Sequence, residues 1–438
     1  MTVNLDKEQF QYMECIGEIP TDIPEGAFIS IDRNKALKIY SLGFQPAKSI
    51  PEIPRWFLNK YATKDFTIFE PFAGSGTTII ESLKYGTPIL WMDNHPLSRL
   101  ICKVKSSNFN IDDVKTQLIT VLENSINQDD VAITTKFRNR DFWFQQPVQE
   151  GLQILKNNIY NTPNSVQPLL LLAFASTVRK CSDMDDGMIL ASRRSGNREI
   201  PQFSRTDVFD YFKHYATKAI NAVLEWNQVV PNQNELSNEI STHDARDLGD
   251  GWECDAIITS PPYINAIDYV WASKFELHWL DLVDSDKHRL NLYSEEIGTE
   301  RIPSKVYKGL GKTGHRTLDK AIEDIYYARK YKASKGQNEL RARVVYKYFE
   351  DMKIHFQQSF KHLRPGGYYC FAIGDVSTIC GVDIPVASVL VDIAEEVGFE
   401  NIFHFNILLK NRKLNIPRNV NFAGTIEHDT TIVLQKPL

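Results

Sequence analysis

The sequence predicts an α/β fold: a doubly wound, mostly parallel sheet with a helical insertion and a second insertion of basic loops and helices. Three observations predict it. Strand and helix signals alternate at both ends of the 438-residue chain, the pattern of parallel strands joined by helical crossovers. The β-prone run Phe66-Thr-Ile-Phe-Glu70 passes through a glycine turn into the helical pattern Ile79 to Tyr85. Far downstream, the apolar run Ala256-Ile257-Ile258 reads as a buried strand that empties into a proline loop.

Taken in order, residues 1–43 form an N-terminal extension, and 44–110 carry the cofactor-binding half of the fold. In that half the turn is Pro71-Phe-Ala-Gly-Ser-Gly-Thr-Thr78, and strand, glycine turn, helix is the context in which a backbone approaches a ligand closely. A second strand, Pro88-Ile-Leu-Trp-Met-Asp93, ends in an acid about twenty residues after the turn, where a carboxylate can take the two hydroxyls of a ribose. The lysine of a phosphate-binding Gly-x-x-x-x-Gly-Lys-Ser/Thr loop is absent, so Gly74 and Gly76 favour a nucleoside cofactor without phosphates. Residues 111–235 read as a mainly helical insertion, with Leu152, Leu155 and Ile159 at helical spacing. Its apolar run Leu169 to Ala175 is too short to span a bilayer and reads as a buried helix segment. The stretch Ser192 to Arg198 reads as an exposed basic loop in which Arg193 and Arg194 are candidate substrate contacts, and an inert structural insertion is the competing reading.

Residues 236–280 hold the second half of the site, and 346–438 complete the sheet. Between them, 281–345 is basic: Lys308, Lys312 and Arg316 belong to a run of cations that outnumber the acids, with Tyr307, Tyr326, Tyr327 and Tyr331 interleaved. Such a run is either a solvated face or a polyanion contact. The glycines from Gly309 to Gly314 favour a loop able to close over a polyanion.

Hydrophobic residues at 42% and charged ones at 24% describe an ordinary globular chain. A net charge of −5 confines any nucleic-acid contact to local positive surface. The first residues lack the basic start and apolar stretch of a secretion signal, and a cytoplasmic protein is expected. The six cysteines are scattered without Cys-x-x-Cys or histidines at ligand spacing, so neither zinc, another metal nor a disulfide framework is expected. No Pro-Cys pair is present, which argues against a cysteine nucleophile attacking a pyrimidine ring carbon.

The proline loop is Thr259-Ser-Pro-Pro-Tyr263. By itself it is compatible with a stiff turn after a strand. It also suits chemistry on an amino group attached to an aromatic base, whose lone pair is delocalised into the ring. Ser260 Oγ and the Pro261 carbonyl can accept hydrogen bonds from such an amine, Pro261 and Pro262 stiffen the loop, and Tyr263 offers a stacking face.

Together these stretches resemble the S-adenosylmethionine-dependent amino DNA methyltransferases, with their Rossmann-like methyltransferase fold, of the kind found in restriction-modification systems. The matching residues are Pro46-Ala-Lys48, Phe69 to Thr78, Asp93-Asn-His-Pro96, Asp244 to Leu248, Thr259 to Tyr263, Leu363 to Gly367 and Phe371 to Asp375, and the similarity covers about half the chain. The resemblance implies that Phe69, Glu70, Phe72, Gly74, Gly76 and Thr77 line the cofactor pocket, that Asp93 holds the ribose, and that Asp244 and Ala245 lie near the adenine. Pro46, Ala47 and Lys48 then cover the methionine end, Asp268 and Tyr269 shape the base pocket, and Asp375 either lines the site or caps a turn. A helix cap is the competing reading of Asp268. Ser-Pro-Pro-Tyr is similar to the loop of cytosine-N4 enzymes, whereas adenine-N6 enzymes more usually carry Asp or Asn at its first position. The implied reaction is a direct transfer to a nucleotide swung out of duplex DNA, with a restriction endonuclease as functional partner. An adenine-N6 enzyme, an RNA amino methyltransferase and a non-catalytic DNA-binding relic of the fold remain the alternatives.

Overall fold

The computed structural model describes residues 11–194, 199–231, 233–264, 267–303, 309–334, 336–409 and 428–438. Its elements run β1 (Tyr12–Ile16), β2 (Phe28–Asp32), α1 (Glu52–Tyr61), β3 (Ile68–Glu70), α2 (Thr77–Tyr85), β4 (Ile89–Trp91), α3 (Pro96–Lys105) and α4 (Ile111–Ile126). Then come α5 (Arg140–Trp143), α6 (Gln146–Tyr160), α7 (Gln167–Cys181), α8 (Arg205–Val229), α9 (Gln233–Leu236), β5 (Ser237–Glu239) and β6 (Cys254–Thr259). After the proline loop follow α10 (Tyr269–Ala272), α11 (Lys274–Trp279), α12 (Asp286–Glu295), α13 (Arg316–Tyr326) and α14 (Gln337–His362). The chain closes with β7 (Leu363–Gly374), the hairpin β8 (Val376–Ile379) and β9 (Val382–Pro385), α15 (Val386–Val397), β10 (Glu400–Leu408) and β11 (His428–Gln435).

Among the described residues the main sheet has nine strands in the order β1-β2-β10-β11-β7-β6-β3-β4-β5. Only the pairs of β11 with β10 and with β7 are antiparallel; the rest are parallel. The pairing that matters most joins Ile68 to Ala256 and Phe69 to Ile257. It sets the ends of β3 and β6 side by side at the carboxyl edge of the sheet, the place where open α/β sheets bind ligands.

Alternation along the strands sends side chains to opposite faces. Ile68, Ala256 and Ile258 enter one core with Leu152 of α6, Phe174 of α7 and Val223 of α8. Phe69 and Ile257 enter the other, with Ile322 of α13, Phe356 of α14 and Leu390 of α15. Both faces are covered, so the apolar run of β6 is explained by burial on two sides.

Local signals set the helix ends. Gly76 and Gly86, both in the left-handed region, bracket α2. Asn110 caps α4 by accepting from the Asp112 and Asp113 amides, and Ser204 with Asp207 forms a capping box on α8. The apolar run Leu169 to Ala175 lies within buried α7.

Two expected boundaries shift. Within the N-terminal extension, residues 12–16 and 28–32 are two strands of the main sheet, β2 pairing with β10. The division between 345 and 346 falls inside α14, whose apolar side chains pack continuously across it. No helix among the described residues is long and apolar enough to cross a membrane.

Candidate active site

At the carboxyl edge a cavity of about 460 Å³ opens between the glycine turn and the proline loop, within the range of about 300–1,000 Å³ typical of small-molecule sites. On one side its wall holds Pro46, Ala47, Lys48, Phe72, Gly74 and Asp93; on the other it holds Ser260, Pro261, Pro262, Tyr263, Asp268 and Tyr269. Ala245 also lines it. Residues nearly two hundred positions apart in sequence therefore share one chamber.

The turn is held from behind. Gly74 has φ of 47° and donates its amide to Asp93 Oδ2 at 2.7 Å, while His95 donates its amide to Asp93 Oδ1 at 2.7 Å. Burial pushes Asp93 up to about 6 against these two bonds, and it pushes His95 down to about 3 with help from Arg99. Beneath the turn the fully buried Lys105 donates to the Ser75 carbonyl at 2.8 Å. Desolvation, and then Lys48, bring its ammonium down to about 7.

Glu70 joins the two halves. It accepts from the Phe72 amide at 3.0 Å, from Thr78 Oγ1 at 2.6 Å and from Thr259 Oγ1 on β6. Burial raises it from 4.5 to about 7 although these donors oppose the rise. Ionising such an acid in the folded chain costs stability. The cost is absent below the unfolded carboxyl range, grows as pH climbs from 4.5 toward 7, and is constant above. The melting temperature is accordingly expected to fall between pH 5 and pH 7.5, and Glu70→Gln to flatten that fall. Thermal unfolding across this range checks it; equal slopes in the two proteins would refute the assignment.

On the side of the proline loop, Ser260 Oγ donates to the Ala372 carbonyl of β7 at 3.2 Å. With its proton committed there, the hydroxyl has lone pairs left to accept. Asp268 is both a cavity residue and a helix cap: it accepts from the Trp271 amide at 2.7 Å, from the Tyr293 hydroxyl at 2.8 Å and from Arg301 at 3.2 Å.

Several expected lining residues stand elsewhere. Phe69 points into the second core against Trp252, because it alternates with its strand neighbours. Glu70 faces the strand junction, and Gly76 and Thr77 begin α2, with Thr77 Oγ1 bonded to Ser75 Oγ at 3.0 Å. Asp244 turns to its own Arg246, leaving Ala245 in the wall. Asp375 stands outside the wall and pairs with His428 at 3.3 Å.

The basic contacts also divide. Arg193 pairs with Asp183 at 3.1 Å and stacks on Phe142, and Arg194 pairs with Asp186 at 2.8 Å with its side chain largely covered. These arginines are neutralised by nearby acids that the linear pattern did not associate with them. Lys312 and Arg316 are exposed and outside the cavity wall, while Lys308, with residues 304–307 before it, lies outside the described residues.

A further part of the wall, Glu295 to Glu300, was not foreseen in the sequence. Its signal is the pattern Glu-Glu-Ile-Gly-Thr-Glu, in which Gly298 has φ of 82° and a Cβ there would lie 3.4 Å from the Tyr263 carbonyl. The basic run that begins at Arg301 directly after it drew the reading of the whole insertion.

The six cysteines are free and buried. No family model matches the chain. Among characterised proteins it is similar to the type II methyltransferase M.MvaI of Kocuria varians, 22% identical over 421 residues that cover 89% of each chain. It is 24% identical to M.BsoBI of Geobacillus stearothermophilus, over 86% of this chain and 81% of that one. To M.AvaI of Nostoc it is 23% identical, over 90% and 89%. Along most of its length the chain is thus related to type II methyltransferases, the restriction-modification proteins that its motifs resemble.

Proposed function

We propose that the chain is a cytosine-N4 DNA methyltransferase that uses S-adenosylmethionine and belongs to a restriction-modification system, with a restriction endonuclease as its functional counterpart. The observation that carries this reading is the shared cavity of the glycine turn and the Ser-Pro-Pro-Tyr loop, locked by Thr259 on Glu70.

The residues present fit the cofactor. Gly74 turns with φ of 47°, a left-handed conformation that glycine adopts without strain, and it lines the cavity with its backbone alone. Asp93 keeps acceptor capacity beyond its two backbone bonds for ribose hydroxyls, and Ile50, Ile53 and Ile258 supply apolar wall. When bound, the cofactor supplies an electrophilic methyl group.

The chain supplies orientation. Ser260 Oγ and the Pro261 carbonyl accept the amine hydrogens and turn its lone pair toward the methyl carbon, while Tyr263 stacks on a base swung out of the duplex. Asp268 and Tyr269 bound the base pocket. The exposed Lys312 and Arg316, together with Lys308, are proposed to meet the phosphates, which position the duplex without reading it.

Incubating the protein with methyl-labelled S-adenosylmethionine and unmethylated duplex DNA, then analysing nucleosides, tests the reading. The expected product is N4-methylcytosine. Label in N6-methyladenine would transfer the same mechanism to the other base, and label in RNA alone would overturn the DNA reading.

A further inference from the structure

A methylated amino nitrogen carries a positive charge until it loses a proton, so the reaction proposed above needs an acceptor near Ser260. Most carboxylates of this region are already engaged. Both oxygens of Asp93 accept from backbone amides, and those of Asp268 from Trp271, Tyr293 and Arg301. Glu70 stands behind the wall with three donors. Glu300 pairs with Arg341, Glu295 is exposed, and Asp429 of β11, which also lines the cavity, is not without a partner.

Glu296 differs. It is the extended residue that ends α12, it lines the cavity, and no hydrogen-bond or ion-pair partner meets its carboxylate among the described residues. Its segment lies beside the proline loop, where a Cβ on Gly298 would meet the Tyr263 carbonyl at a contact distance of 3.4 Å. We propose that Glu296 is the proton acceptor of the methyl transfer.

This rests on the function proposed above and deepens it. In the step, the amine lone pair forms the nitrogen–carbon bond, the carbon–sulfur bond breaks with its electron pair going to sulfur, and a nitrogen-bound proton passes to a Glu296 oxygen and then to water. The charged and titratable groups around Glu296 are Asp93 after β4, Asp268 and Tyr269 at the start of α10, Tyr293 in α12, and Arg301. Burial, then Asp268 and Asp93, raise its carboxyl to about 8, with Arg301 opposing. A sulfonium in the cavity adds the opposite charge and shifts the group back toward its ionised, proton-accepting form.

The test compares wild type, Glu296→Gln and Glu296→Asp by single-turnover methylation of unmethylated duplex DNA across pH 6 to 9. Calorimetry with S-adenosylmethionine and DNA binding are measured alongside. In wild type the rate should rise along an acidic limb. In the glutamine variant it should fall on the order of 10²-fold, the low end for a general base, and lose that limb. Cofactor and DNA affinities should stay within about threefold, and the aspartate variant should restore part of the rate. A glutamine variant that keeps both rate and limb overturns the proposal. So does one that binds cofactor poorly but reacts normally once saturated, which would make Glu296 a cofactor ligand. If wild type itself makes no methylamino base, the proposed function fails instead.

Discussion

Replacing Ser260 with alanine is expected to cut the methyl-transfer rate by about 10²–10³-fold, the loss found when one preorganised hydrogen-bonding group is removed from a reacting centre. The reason is the direction of its hydrogen bond. Ser260 gives its proton to the Ala372 carbonyl, so the oxygen presents lone pairs rather than a hydrogen to the incoming amine. Alanine removes that acceptor and leaves the Pro261 carbonyl to hold the amine alone. Stability should change little, since one half-buried hydrogen bond is worth about 0.5–1.5 kcal/mol. Single-turnover rates at saturating cofactor, with calorimetric cofactor affinity beside them, separate the roles. If affinity falls tenfold while the saturated rate persists, the serine only shapes the wall.

How much of this was legible in the sequence follows from which interactions are local. The glycine turn, the acid closing the next strand and the proline loop announced themselves because each is a short run with a backbone requirement of its own. That they meet depends on Ile68 pairing with Ala256, a contact that only the buried apolar character of both strands hinted at. Side-chain direction was less readable. Phe69 and Glu70 sit within the motif yet point away from the cavity, because strand alternation and a bond from distant Thr259 decide their orientation. Arg193 and Arg194 looked exposed because Asp183 and Asp186 lie in a separate stretch and reach them only through a turn. Glu296 was hidden because nothing local ties it to Asp93 and Asp268, which it faces in space; in sequence it only precedes the basic run that begins at Arg301.

Asp93→Ala is expected to weaken cofactor binding by at least about 100-fold. Two hydrogen bonds from ribose hydroxyls to a charged acceptor are worth roughly 1.5 kcal/mol each, and every 1.4 kcal/mol is about tenfold. A second loss comes through the turn, because Asp93 also fixes the Gly74 and His95 amides. That double duty predicts an unusual result for the isosteric change. Both carboxylate oxygens already accept from backbone N–H groups, so an asparagine must set its NH₂ against one of those donors. Asp93→Asn should therefore bind cofactor within about threefold of Asp93→Ala, whereas an acid that met only the ribose would tolerate asparagine far better. Isothermal calorimetry on the two variants decides it: near-wild-type affinity in the asparagine protein would mean that Asp93 does not hold the turn in the working enzyme.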